Sequence, residues 1–230
     1  MGRLAGEARE AQLTGPGWLD GPLRGAIGAS GPVAWSVGLD SEAAAVALKR
    51  AAHTDRDLAD FAAAPDAAAR LVRRRLTRAL LGEMAGVAPE SILFGRSGEG
   101  APSILSPPGW HISVAGQVPL ALIAVARDPV GTDVEAVDDA PPLWDMLTGA
   151  EAEQVRRLPP ATQSAEWLRR WTAKEAHAKR LRSARHADPA AIDTEPLGAD
   201  CIIARSTEGT SRCWVRTVSG RVEAVALAAA

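Results

Sequence analysis

Two short segments carry residue types that could do chemistry together. In Val130-Gly131-Thr132-Asp133-Val134-Glu135, strand alternation sends Asp133 and Glu135 to one face and Val134 to the other. Two carboxylates side by side in a segment that otherwise reads as buried repel each other and are costly to bury unpaired. A hard divalent cation such as Mg2+ removes that cost, because it takes oxygen ligands, keeps waters and commonly bridges to substrate phosphates. The alternative is an edge strand with two solvated acids. The second segment is Trp171-Thr172-Ala173-Lys174-Glu175-Ala176-His177-Ala178-Lys179. On a helix, Trp171 and Glu175 stand ~40° apart, as do Glu175 and Lys179, with Lys174 ~60° from Trp171 on the same side. That face offers one acid between two ammonium groups above an indole. Its plain alternative is a solvated i,i+4 pair with Trp171 as a core anchor.

The surrounding pattern predicts the elements that must hold these segments. Residues 1–32 are glycine-rich with little periodicity and read as a loose lead-in to a first strand at Val33 to Leu39. Helices are expected from Ser41-Glu42 to about Ala52, after Thr54-Asp55, and over residues 66–85. In the last of these, Leu71, Leu76, Leu80 and Leu81 share one face while Arg70, Arg73, Arg74 and Arg78 form a basic flank. Strand signals follow at 103–105, 110–114, 119–126 and 130–137, separated by Pro-Pro-Gly and Asp-Pro breakers. Thr148 to Glu151 matches a capping box, a long helix runs from about Thr162 to Ser183, and strands near 200–206, 212–218 and 221–228 close the chain. Helices precede antiparallel strands twice, an α+β order with halves at 1–128 and 129–230. With Glu208-Gly209 as a hairpin tip, Cys201 opposes Arg216 and Cys213 opposes Ala204, so both cysteines read as structural thiols.

Composition narrows the function classes. The 230 residues are 47% hydrophobic and 23% charged, as in a globular chain of one large domain or two small ones. Lys plus Arg number 26 against 28 acids, a net charge of -2 that lacks the basic footprint of duplex binding, so any cationic site is local and no nucleic-acid partner is expected. There is no tyrosine to act as acid or base, and the four scattered histidines exclude HExxH and zinc-finger spacing. The longest apolar run, Val118 to Ala126, is about half of what a membrane helix needs, and the N-terminus lacks an h-region. A soluble, cytoplasmic protein is expected. Neither GxSxG, GxGxxG nor a P-loop is present.

Taken in order, GTDVE and WTAKEAHAK resemble the paired signatures of the long, single-chain 4'-phosphopantetheinyl transferases, in the subclass reading Trp-x-x-Lys-Glu-Ala. The separation of 41 residues between Asp133 and Lys174 is in keeping with that family. RLVRRRLTRALLGEMAGVAPESILFGRSGEGAPSIL resembles its basic helix leading to a Gly-Lys-Pro turn, WHISVAGQVPLALIAVA its Asn-Leu-Ser-His-Ser strand and the next one, and LTGAEAEQVRRLP the helix before the second motif. The likeness runs from about residue 66 to 185.

The resemblance implies two similar halves in a pseudo-twofold arrangement, each with helices on a small antiparallel sheet, a monomer, and an active site between the halves. It implies Asp133, Glu135 and Glu175 as Mg2+ ligands, with the coenzyme A pyrophosphate completing the shell. Lys174 and Lys179 would neutralise phosphate oxygens, Ser113 would contact the 3'-phosphate end, and Arg70 and Arg74 are further candidate phosphate contacts. The implied reaction transfers 4'-phosphopantetheine from coenzyme A to a serine of an apo acyl or peptidyl carrier protein, with Glu175 as general base and Glu135 able to share that role. An Arg-lined groove with Arg180, Arg182 and Arg185 would suit an acidic carrier. The family's Gly-Lys-Pro is Gly100-Ala101-Pro102 here, its Ser-His is Ser113-Val114, and Lys179-Arg180-Leu181 stands where a glycine usually follows. Coenzyme A binding is therefore expected to be weaker, or rescued by nearby arginines such as Arg96 or by His111. Two other readings stay open: an Mg2+-dependent hydrolase of a nucleotide pyrophosphate, and a non-catalytic relative that binds a carrier or coenzyme A.

Overall fold

The structure, a computed structural model, describes residues 15–26, 30–98, 100–138 and 140–229. Among them are eleven strands and five α-helices. The first group comprises β1 (Gly17–Leu19), β2 (Val33–Gly38), α1 (Glu42–Leu48), α2 (Asp55–Phe61), α3 (Ala67–Ala85), β3 (Leu93–Arg96), β4 (Pro102–Ser106), β5 (His111–Gln117) and β6 (Leu120–Ala126). The second comprises β7 (Gly131–Ala136), α4 (Gly149–Arg156), α5 (Pro160–Leu181), β8 (Asp193–Pro196), β9 (Cys201–Ser206), β10 (Gly209–Val218) and β11 (Arg221–Ala228). The chain is thus mixed α+β with small sheets that are antiparallel apart from one pairing. No helix of the described residues is long and apolar enough to cross a membrane.

One sheet has the order β1-β2-β6-β5, a second the order β7-β11-β10-β9-β8, and β3 and β4 form a separate hairpin. β1 pairs parallel with β2, an addition to the expected loose lead-in, of which residues 1–14 and 27–29 lie outside the described part. Side-chain alternation divides each sheet between two cores. One face of the first sheet, with Trp35, Val37, Ile123 and Val125, packs on Leu76, Leu80 and Leu81 of α3. One face of the second, with Val215, Val222, Ala224 and Ala226, packs on Leu168, Ala173 and Ala176 of α5. The remaining faces meet each other through Ala34, Leu122 and Ala124 on one side and Val134 and Val225 on the other. A polar tie crosses this seam: the Ser36 hydroxyl donates to Glu223 Oε1 at 2.5 Å, and Arg216 Nε donates to Glu223 Oε2 at 2.8 Å.

The helix starts follow the side-chain chemistry of the sequence. Ser41 caps α1, and Thr54 and Thr148 build reciprocal capping boxes with Asp57 and Glu151. The basic flank of α3 is less exposed than a solvated stripe. Arg78 is only 2% exposed, donates to Asp57 at 2.6 Å and also bonds to the Ile92 carbonyl. The β9-β10 hairpin turns at Thr207-Glu208, not Glu208-Gly209: the Ser206 hydroxyl accepts the Glu208 N–H and Gly209 already pairs with Ser206. The register therefore shifts by two: Cys201 faces Trp214, Cys213 faces Ile202, and both thiols are free and buried.

Candidate active site

β7 and α5 touch along their length, and Gly131 sets how closely. A Cβ there would lie 1.9 Å from the Ala176 carbonyl oxygen and 2.4 Å from the Arg180 nitrogen, so only a residue without a side chain lets the strand lie against the helix. From this contact the strand alternation turns Asp133 and Glu135 toward α5, while Val134 enters the seam. Lys179 Nζ donates to Asp133 Oδ1 at 2.5 Å, and Trp171 Nε1 donates to Glu135 Oε1 at 3.0 Å. Trp171 is itself braced by a parallel stack on Trp167, 6.1 Å between ring centres. Glu175 lies on the helix midway between Trp171 and Lys179.

All three acids have their pKa pushed above the ordinary carboxylate value. Burial is the first cause for each. Asp133 and Glu135 add to the rise at Glu175, and Asp133 adds to it at Glu135, while the Lys179 ammonium opposes it at all three. The acids are therefore a mutually repelling set with a single nearby cation. Asp133 Oδ2 is buried with no hydrogen-bond partner. Glu175 accepts no hydrogen bond from the described residues.

Lys174 is not part of this face. It is 1% exposed, and its ammonium spends all three donors on the Met146 carbonyl (3.0 Å), the Pro189 carbonyl (2.8 Å) and Glu151 Oε2 (2.6 Å). So enclosed, the ammonium has no donor left over for the phosphate contact expected of it. Glu151 was visible in the sequence only as a capping residue. Burial pushes its carboxyl up, but hydrogen bonds from Lys174, Thr194 and the Thr148 N–H outweigh burial and hold it below the usual range.

Two adjoining cavities open beside the acids. The smaller, about 210 Å3, is lined by Gly100, Ala101, Ser113, Val114, Lys179 and the arginines 180, 182 and 185, with His111. The larger, about 310 Å3, is lined by Arg70, Arg73, Arg74 and Arg96 with Phe61, Phe94 and Thr77. Both share Pro102, Ile112, Val114 and Lys179, and among the described residues no carboxylate lines either. Ser113 lies at the back of the smaller one, where its hydroxyl accepts the Thr132 N–H at 2.9 Å and so joins β5 to β7.

The expected arginines differ in what they can offer. Arg70 is half-exposed and bonds to Asp66 at 2.5 Å. Arg74 is 7% exposed, lies 3.7 Å from Asp57 and 3.5 Å from Asp60, and stacks on Phe94, so most of its charge is already compensated. Arg96 donates to the Gly100 carbonyl at 3.1 Å. Arg185 packs on Gly100, whose φ of +82° a side chain would rarely adopt. Arg180, Arg182 and Arg185 thus wall the cavity that holds Ala101 and Val114. Burial first, and then the charge of Arg182, lower the His111 pKa, which keeps that ring a neutral member of the wall.

The second half of the chain now matches on independent grounds. Residues 129–230 match the family model of the 4'-phosphopantetheinyl transferase superfamily. The matched segment contains Asp133, Glu135, Glu175 and Lys179, whereas β5, α3 and their arginines lie outside it. A comparison with curated proteins finds no match.

That family match raises the question of whether these residues suit a divalent cation. Their chemistry does: three carboxylates, all raised in pKa by burial and two of them also by neighbouring acids, with one buried oxygen lacking any partner among the described residues. Among the described residues, however, no three acidic, histidine or cysteine side chains converge on a common point as they stand. The signals missed in the sequence are tertiary. Gly131 reads as an ordinary strand glycine until α5 lies on it. His177, fully buried, bridges Ser211 (2.7 Å) and Ser206 (3.0 Å), and Arg180 shares the Ser211 hydroxyl at 3.2 Å.

Proposed function

We propose that this chain transfers the 4'-phosphopantetheine group of coenzyme A to a serine hydroxyl of an apo acyl or peptidyl carrier protein, releasing adenosine 3',5'-bisphosphate, as a cytoplasmic monomer of the long, single-chain Trp-x-x-Lys-Glu-Ala type. In this reading residues 1–128 and 129–230 are halves in a pseudo-twofold arrangement that share one site. The observation that carries it is the position of Lys179, which joins the acid set of β7 and α5 to two arginine-lined cavities. A polyanion with separated phosphates matches that charge pattern.

Asp133, Glu135 and Glu175 would hold Mg2+, which when bound polarises the pyrophosphate and offsets charge on the leaving group. Lys179, with Arg180, Arg182 and Arg185, neutralises phosphate oxygens, and Ser113 closes the far wall of the smaller cavity. Arg70 and Arg96 extend the cationic surface into the larger one, and Arg74 supports them from below. The carrier serine oxygen forms a bond to the β-phosphorus while the bond from that phosphorus to the bridging oxygen breaks, and the departing nucleotide takes the electron pair. Glu175 accepts the serine proton, directly or through a water, because its raised pKa and lack of donors suit it to the task better than Glu135, which the Trp171 indole holds.

The test is to incubate the protein with coenzyme A, Mg2+ and several apo carriers and weigh the carriers. A carrier that gains one phosphopantetheine supports the transferase. Bisphosphate released without any carrier supports a hydrolase instead, and coenzyme A binding with no gain on any carrier refutes transfer.

A further inference from the structure

Lys179 belongs to two environments. Its ammonium bonds to Asp133 Oδ1 at 2.5 Å, within the acid set, and the same side chain, 29% exposed, lines both arginine-walled cavities. Its positive charge acts on Asp133, Glu135 and Glu175 alike. As the site stands, neither oxygen of Asp133 is open to an arriving ion, since Oδ1 is capped by the ammonium and Oδ2 is buried without a partner. The three acids also do not converge.

We propose that Lys179 is the resident counter-ion of the acid set, and that it must leave Asp133 for a ligand phosphate before the acids can close on a divalent cation. Three carboxylates in a partly buried place repel one another strongly when nothing offsets them. The ammonium supplies part of that offset and holds Asp133. A phosphate in either cavity offers Lys179 an acceptor of equal or greater charge within its own reach, because the lysine already lines both walls. Release of Asp133 then leaves a set of acids with a net charge that favours a divalent cation, and a cation there repels the ammonium from returning. Polyanion and cation consequently bind as a coupled pair, each raising the affinity of the other. The inference rests on the acid set as the cation site proposed above, but not on the identity of the acceptor.

The opposing possibility is that Lys179 only orients Asp133 and stays in place when a cation binds. The two differ in sign. Binding of Mn2+ is measured by titration calorimetry with no coenzyme A and no carrier, in the wild type, Lys179→Met and Lys179→Arg, with thermal unfolding recorded for each. If Lys179 is a competing counter-ion, Lys179→Met binds Mn2+ about tenfold or more tightly than the wild type, whereas Lys179→Arg stays weak. Equal or weaker binding by Lys179→Met, with the variant folded, overturns the counter-ion role and leaves the cation site standing. If Lys179→Met does not fold, Lys179→Gln takes its place with the same expectation. Absence of Mn2+ binding in every protein, even with coenzyme A present, overturns both this inference and the metal assignment on which it rests. Transfer of phosphopantetheine can succeed or fail independently, since no arm of this measurement contains a carrier to receive the group.

Discussion

Replacing Gly131 with alanine tests the arrangement on which the acid set depends. The added Cβ would lie 1.9 Å from the Ala176 oxygen and 2.4 Å from the Arg180 nitrogen, both backbone atoms that cannot swing aside as a side-chain tip can. Restoring an ordinary carbon to oxygen contact of about 3.3 Å requires β7 and α5 to part by more than ~1 Å. Overpacking of this kind costs about 1–3 kcal/mol, and backbone on both sides argues for the upper end. For a chain of this size ~3 kcal/mol lowers Tm by about 6–12 °C. The same displacement separates Asp133 and Glu135 from Glu175, and a misplacement of ~1 Å can cost on the order of 100-fold in rate. The assay pairs thermal unfolding by circular dichroism with carrier mass gain. Gly149→Ala is the control, because a Cβ there meets nothing within 4 Å. A Gly131→Ala protein with the wild-type Tm and rate would refute the close approach of strand and helix.

Three further outcomes follow from other parts of the molecule. Lys174→Met leaves Glu151 buried with its cation gone, so it should lose about 3–5 kcal/mol of stability in chemical denaturation, a loss that marks Lys174 as structural. Burial, and then the charge of Arg180, depress the His177 pKa from 6.5 to about 4, so its contribution to stability is complete above pH 6.5 and is lost as the pH falls toward 4. Urea midpoints of wild type and His177→Gln should therefore converge over that window, the difference shrinking by up to ~3 kcal/mol, and parallel curves would show that His177 is not buried neutral. Arg185→Ala removes a cation from the smaller cavity without touching the acids, so KM for coenzyme A should rise about tenfold with kcat little changed, as read from initial rates.

What the sequence made legible was whatever depends on local spacing. Ser41, Thr54 and Thr148 mark their helices because a cap is a contact over three residues, and Asp133, Glu135, Glu175 and Lys179 share a face because strand and helix periods dictate it. Lys174 marks the limit of local spacing. Its angle on the helix is compatible with the Trp171 face, and only tertiary packing, which brings Glu151 of α4 and the Met146 and Pro189 carbonyls of the flanking turns to it, draws the ammonium away. β1, β3 and β8 are strands of three or four residues, too short for a run of alternation to announce them. The arginines after α5 carry no pattern of their own. Their role in the smaller cavity appears when Gly100 of the β3-β4 turn is found beneath Arg185.

The seam between the two sheets has a mechanical consequence. It is filled largely by alanine and valine, with Ala34, Ala115, Ala124 and Ala126 on one side and Val130, Val134 and Val225 opposite. Side chains this short leave little slack, so the spacing of the sheets is governed by a few methyl groups. One added methylene at Ala124 would push against Val134 or Val225, tilt one sheet on the other, and change the width of the groove that β5 and β7 share without altering any residue that lines it. Groove width, and with it the size of ligand admitted, can thus be adjusted from the interior of the protein.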